Sequence, residues 1–283
     1  MAGQTSVEQS SAWKRFWSRG GFWRALLLAA VYLGVYELIG FLLGLAVPEG
    51  SGLRAEKGSA GDVFFSTALP IILTSILLFA FAASVGWLKE LFARQTLGGR
   101  RWMWIALIVV LVINVGAFLT IDYAKAGITL VGTWLLAGLF VGLVEELVTR
   151  GFVINLMRKG GHREIAVALA SAGIFAALHF TNLFTSDQGL GTTLLQIVYT
   201  FGFGICMYLI LRVTRTLIAP MLVHASTDPS IFLFGAFPTS GNPLVLLPAL
   251  STYIVIVTGF ILLIVFLVSE RRRRRAEVAA SAS

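Results

Sequence analysis

The sequence has a single cysteine, Cys206, which excludes an intrachain disulfide and any zinc site built from several thiolates. Charge is scarce: 13% of the 283 residues, against about 25% in a soluble domain. There is no His-Glu-x-x-His and no Gly-x-Ser-x-Gly, so the zincin and serine-hydrolase signatures are missing. No serine stands clearly beside a base. Acids are outnumbered, 14 against 22 Lys and Arg, and there are only three histidines.

Apolar residues are abundant: 57% of the chain, with a mean hydropathy of +0.86. Eight apolar runs lie at roughly 22–47, 63–88, 102–121, 127–157, 165–185, 192–211, 217–235 and 244–268. Each approaches or exceeds the roughly 20 residues that a helix needs to cross a bilayer. Backbone groups in lipid are satisfied only by helices or closed barrels, and runs this long predict helices. The first run is too long for a signal-peptide core and reads as an uncleaved span. Assigned to alternate faces, 19 of the 22 basic residues fall on one side, leaving Arg54, Lys57 and Lys125 on the other. The positive-inside rule makes the basic side cytoplasmic.

The prediction is an all-α fold: a polytopic membrane helix bundle of about eight transmembrane helices, with both termini cytoplasmic. It divides into an N-terminal segment 1–21, a single transmembrane domain 22–268 and a basic tail 269–283. The Arg271–Arg275 run reads as an anchor against anionic lipid, so the bilayer and no nucleic acid is expected as partner. The stretch after Glu277 reads as disordered. Gly40/Gly44 and Gly138/Gly142 have the small-xxx-small spacing of close helix contacts.

Ionisable residues inside the apolar runs are few and are functional candidates by default. They are Glu37, Glu145, Glu146, Arg150, His179, His224 and Asp228. Glu146 and Arg150 are four apart, so they face one another on a helix. Glu145 is rotated by about 100° and points elsewhere. Phe175 and His179 are one turn apart, as are His224 and Asp228, where a carboxylate can fix an imidazole tautomer. A buried ion cluster that only fixes packing would use the same residues. If the fourth run stays helical to Arg158, Glu145 lies about 20 Å from the basic face, His179 about 24 Å and His224 about 13 Å. One layer could then hold them all. If that helix ends at Arg150 the layer breaks.

A glutamate and two histidines can deprotonate a water with or without a divalent metal such as zinc. With a metal, Glu145, His179 and His224 serve as ligands and base; without one, Glu145 is the general base. Asp228 can steady an oxyanion only when protonated. Peptide hydrolysis fits these parts, and an ion-coupled transporter would also use Glu and His.

Glu145-Glu146-x-x-x-Arg150, Phe175-x-x-x-His179 and His224-x-x-x-Asp228, in that order, resemble the CAAX protease and bacteriocin-processing (CPBP, or Abi) family of intramembrane endopeptidases. The resemblance covers roughly residues 130–235. It implies Glu145 as water-activating base assisted by His179, with His224 and Asp228 as oxyanion or metal-site groups. Glu146, Arg150 and Phe175 support them. Asp228 follows the Asp branch of a position that holds Asn or Asp. The implied substrate is a membrane-associated peptide or protein, in CAAX-type or peptide-maturation proteolysis, and the expected location is the bacterial plasma membrane. A scaffold or bacteriocin-immunity role is the non-enzymatic alternative.

Overall fold

The computed structural model describes residues 11–281. The helices are α1 (Ala12–Ser18), α2 (Phe22–Ala46), α3 (Ala60–Val85), α4 (Trp104–Phe118), α5 (Ile128–Lys159), α6 (Glu164–Leu178), α7 (Leu190–Thr214), α8 (Ile218–Ala236) and α9 (Ser251–Ser281), with shorter turns between them. Among the described residues there is no strand, only one isolated bridge between Ile121 and Pro238.

Seven helices among the described residues are long and apolar enough to cross a membrane, which makes this a multi-pass integral membrane protein. The expected eighth, α8, is not among them. Its polar turn from His224 to Asp228 lowers its hydropathy, although it has 19 residues. It nevertheless links the two faces of the bundle. Just before it, Arg215 O accepts from Gln95 N at 2.9 Å in a loop of the basic face. Just after it, Phe237 O accepts from Asp122 N at 2.7 Å in a loop of the other face. Loops expected on one side do meet: Lys159 pairs with Glu90 and Arg158 Nη1 donates to Gln95 on the basic side, while Lys57 pairs with Asp187 on the opposite one.

The most extensive contact is α5 against α8. Glycine makes it possible. A Cβ on Gly142 would lie 2.4 Å from Ala225 N, and one on Gly138 2.3 Å from Pro229 Cγ, so α5 must be bare there. The Gly40/Gly44 pattern does no such work, since no neighbouring helix approaches either position.

The fourth run stays helical past Arg150 to Lys159, as the matched-depth reading required. Its middle, Leu147–Val153, is a π-helix. Such a wide turn leaves backbone groups to be satisfied by other means. Thr149 Oγ1 donates to Glu145 O at 2.5 Å, and Ser171 Oγ on α6 donates to Thr149 O at 2.9 Å.

The tail differs from expectation. α9 continues through Arg271–Arg275 to Ser281 in place of a disordered end. Glu270 and Glu277 punctuate the arginine run, and Arg273 pairs with both, at i−3 and i+4. Of the N-terminal segment 1–21, residues 1–10 lie outside the described residues, and Ala12–Ser18 form α1.

Candidate active site

Four helices carry the site: α5 supplies Glu145, Glu146 and Arg150, α6 supplies Phe175 and ends at His179, and α8 supplies His224 and Asp228, all against α7. The Glu146–Arg150 pair forms as the spacing predicts. Arg150 Nη1 is 2.9 Å from Glu146 Oε1, and both side chains are wholly buried. The guanidinium has more partners than the spacing could show. Nη1 also donates to Thr149 Oγ1, Nη2 donates to Gly204 O on α7 at 3.0 Å, and Cζ sits 4.7 Å from the centre of the Phe175 ring. Two buried charges persist in low dielectric only when paired and hydrogen-bonded in this way.

Phe175 is the hub. Its ring meets His179 edge-on at 4.9 Å and His224 at 5.7 Å while its other neighbour is Arg150. Phe203 of α7 adds a second edge-on contact to His224 at 5.0 Å. These aromatic walls fix both imidazoles.

Hydrogen-bond partners set the tautomers. His179 Nδ1 is 2.9 Å from Phe175 O, an acceptor, so Nδ1 carries the hydrogen and Nε2 is left with its lone pair. His224 Nδ1 is 2.9 Å from Glu146 Oε1, whose charge Arg150 balances, so Nδ1 again donates. His224 Nε2 faces Glu145 Oε2 at 3.6 Å.

The expected pairing of His224 with Asp228 does not occur. Glu146, from the neighbouring helix, has taken the tautomer-fixing position at Nδ1, and Asp228 makes no hydrogen bond among the described residues. It lies in electrostatic range of His224, Glu145 and His179, half-buried on the same turn. Glu145 also has no hydrogen bond to its carboxylate, and its side chain keeps 20% exposure.

Several neighbours have no motif. Asn114 on α4 donates to Ser226 Oγ at 2.8 Å and Thr227 Oγ1 at 2.9 Å, tying α4 to the polar turn of α8. Tyr36 on α2 is in electrostatic range of Glu145, Glu37 and Asp228, and Tyr199 on α7 of Asp228. Glu37 stands beside the Thr181 side chain, two residues beyond His179. A single polar residue in an apolar run was the available signal for Asn114; the tyrosines carried none.

Glu145, His179 and His224 are chemically apt ligands for a divalent metal such as zinc. Among the described residues, however, no three His, Cys, Asp or Glu side chains converge as a ligand set. The arrangement as it stands offers two carboxylates without a hydrogen bond, Glu145 and Asp228, one free imidazole nitrogen and a second imidazole held between two glutamates.

A family model described as "Rce1-like: Type II CAAX prenyl endopeptidase Rce1-like" matches residues 127–229. Over that segment, about a third of the chain, the sequence is similar to this family. The match agrees with the CPBP resemblance and spans α5 to the polar turn of α8, all three motifs included. No curated protein gives a significant match. The segment similar to this endopeptidase family thus sits inside a multi-pass helical bundle.

Proposed function

We propose that the protein is an intramembrane endopeptidase in which Glu145 activates water, and that it cuts a membrane-associated peptide or protein from within a bacterial plasma membrane. The observation that carries this reading is the contrast between adjacent carboxylates. Glu146 is wholly buried with Oε1 held by both Arg150 and His224, whereas Glu145 has no hydrogen bond, is partly exposed and lies 3.6 Å from His224 Nε2. A buried acid kept free of partners is costly unless it serves a reaction.

In the proposed mechanism a water binds between Glu145 and the free Nε2 of His179. Glu145 takes one proton as the oxygen attacks the substrate carbonyl carbon. His224, flanked by Glu146 at Nδ1 and Glu145 at Nε2, carries a proton that Nε2 presents to the tetrahedral oxyanion. Asp228 can add a donor only in its protonated form. Collapse breaks the C–N bond, and Glu145 returns its proton to the leaving amine. Phe175, Glu146 and Arg150 hold the imidazoles and touch no reacting atom.

CAAX-type or peptide-maturation cleavage is the substrate class that the family resemblance supports. The test is cleavage of membrane-anchored peptides by detergent-purified protein, wild type against Glu145→Gln and His179→Gln, with and without a chelator. The expected result is a loss of about 10²–10⁴-fold in rate with thermal unfolding unchanged. Full cleavage by folded Glu145→Gln overturns the mechanism. A loss of folded protein in both variants instead supports a scaffold role.

A further inference from the structure

α8 carries His224 and Asp228, and its own backbone ladder is interrupted at the same turn. Pro229 lies inside the helix. It has no N–H, so Ala225 O receives no helix bond from position 229. On that side α8 rests against bare backbone of α5, where a Cβ on Gly138 would lie 2.6 Å from Ala225 O. A helix bends most readily at a proline. The direction of the turn from His224 to Asp228 is therefore set by what holds it from outside.

Among the described residues, side-chain hydrogen bonds join α8 to two other helices. One is α5, through His224 and Glu146. The other is α4, through Asn114. Asn114 Nδ2 lies 2.8 Å from Ser226 Oγ, 2.9 Å from Thr227 Oγ1 and 3.3 Å from Val223 O. Both hydroxyls donate to Val223 O, at 2.8 and 3.0 Å, so each oxygen is left to accept one of the two amide hydrogens. Ser226 and Thr227 stand between His224 and Asp228 in the chain. Stability is a poor account of this arrangement. Asn114 is 2% exposed in an apolar span, and its Oδ1 is buried without a hydrogen-bond partner. An orphaned acceptor offsets what the donated bonds contribute, and hydrogen bonds between membrane helices are weak on average. A leucine of similar size would remove the orphan and leave no hydroxyl hydrogen unbonded.

We propose that Asn114 is a positioning residue: by holding Ser226 and Thr227 it fixes the turn of α8 so that His224 Nε2 stays opposite Glu145 at 3.6 Å. The inference rests on the proteolytic reading, in which that nitrogen presents its proton to the oxyanion. Asn114 itself touches no reacting atom. Its contribution is to the rate of the chemical step, since a small misplacement of a reacting group is costly there while peptide binding is spread over a wider surface.

The test is steady-state cleavage of the same membrane-anchored peptides by the full-length protein in detergent, with thermal unfolding of each variant. Asn114→Leu should lower kcat by about 10–100-fold, with KM within about twofold of wild type and an unfolding temperature at or above it. Ser226→Ala combined with Thr227→Val removes the acceptors and leaves the amide hydrogens buried and unbonded. That pair should lower kcat by a similar factor and unfold below wild type. Adding Asn114→Leu to the pair should lower kcat no further and should recover the unfolding temperature. A residue that only fastened helices would give the opposite pattern, less folded protein with wild-type kcat in what remains. Asn114→Ala replaces Asn114→Leu should the latter not fold. Wild-type kcat in the folded Asn114 variant, or losses that multiply in the triple variant, overturns the proposal and leaves the proteolytic reading standing. Absence of cleavage by the wild type overturns both.

Discussion

Two ionic layers run through this bundle, and they are built to opposite rules. Near the basic face, Glu164 accepts from Arg158 Nε at 2.8 Å, from Tyr208 at 2.6 Å and from Arg212 at 3.3 Å. Arg212 also reaches Gly98 O at 3.1 Å and Glu270 at 3.7 Å. That layer joins α5, α6, α7, α9 and a loop, and both oxygens of its central acid are occupied. The deeper layer contains a wholly buried pair, Glu146 with Arg150, joined through Glu146 Oε1 with Oε2 left without a partner, and beside it Glu145 and Asp228 have no hydrogen bond. Charge that fastens helices is bonded across them, by Glu164 to three partners and by Glu146 Oε1 to two. The carboxylates left unbonded in the deeper layer are the ones that the proposed mechanism uses.

The sharpest way to break this comparison is to remove a closed charge from the deep layer. Arg150→Met leaves Glu146 buried with His224 as its remaining partner and should cost about 3–5 kcal/mol, read as lost folded protein in thermal unfolding. Glu146→Gln should lose less, because the amide still bonds Arg150 and His224. It should nonetheless unfold below wild type, whereas the adjacent Glu145→Gln should unfold at or above it while losing cleavage. If the two glutamine variants behave alike, the division into closed and open acids fails. In the shallow layer Arg212→Gln removes several charge-assisted bonds and should cost about 1.5–3 kcal/mol, with cleavage by the remaining folded protein unchanged. The smallest effect belongs to the opposite face. Lys57 and Asp187 are both solvent-exposed. The ammonium holds the Asp187 carboxyl below its usual range, and the carboxylate raises the lysine. Their contribution is therefore present at neutral pH. It is lost as pH falls through the lowered Asp187 value and again as it rises through the raised Lys57 value. Screening makes it slight, so Lys57→Ala should leave the melting temperature within error at physiological salt.

The sequence made the helices legible because lipid leaves so few choices: long apolar runs with basic residues on alternate ends have one economical arrangement. It also made the Glu146–Arg150 pair legible, because both partners are on one helix and four residues apart. His224 shows where that logic stops. Asp228 has the same four-residue spacing, yet the imidazole bonds Glu146, 78 positions away, because the tight glycine contact of α5 with α8 brings that carboxylate closer. Spacing along one helix says nothing of what a neighbouring helix delivers. The same blindness hid Asn114, which fastens the polar turn of α8 from α4, and the approach of Gly259 to Gly202, where an added Cβ would lie 2.5 Å from backbone. The stretch after Glu277 was expected to be disordered, yet it continues α9, whose preceding turns carry the Arg273 pairs with Glu270 and Glu277.

The π-helical turn at Leu147–Val153 amounts to one extra residue in an otherwise regular rod, and so it acts as a phase shifter. Upstream of it, α5 presents Glu145 and Glu146 to the interior; downstream, the same rod presents Arg158 to Glu164. If these 7 residues wound at α-helical pitch instead, everything beyond them would rotate by about 100°. The end that carries Glu145 and the end that carries Arg158 would then no longer be in register, although no side chain at either end had been changed.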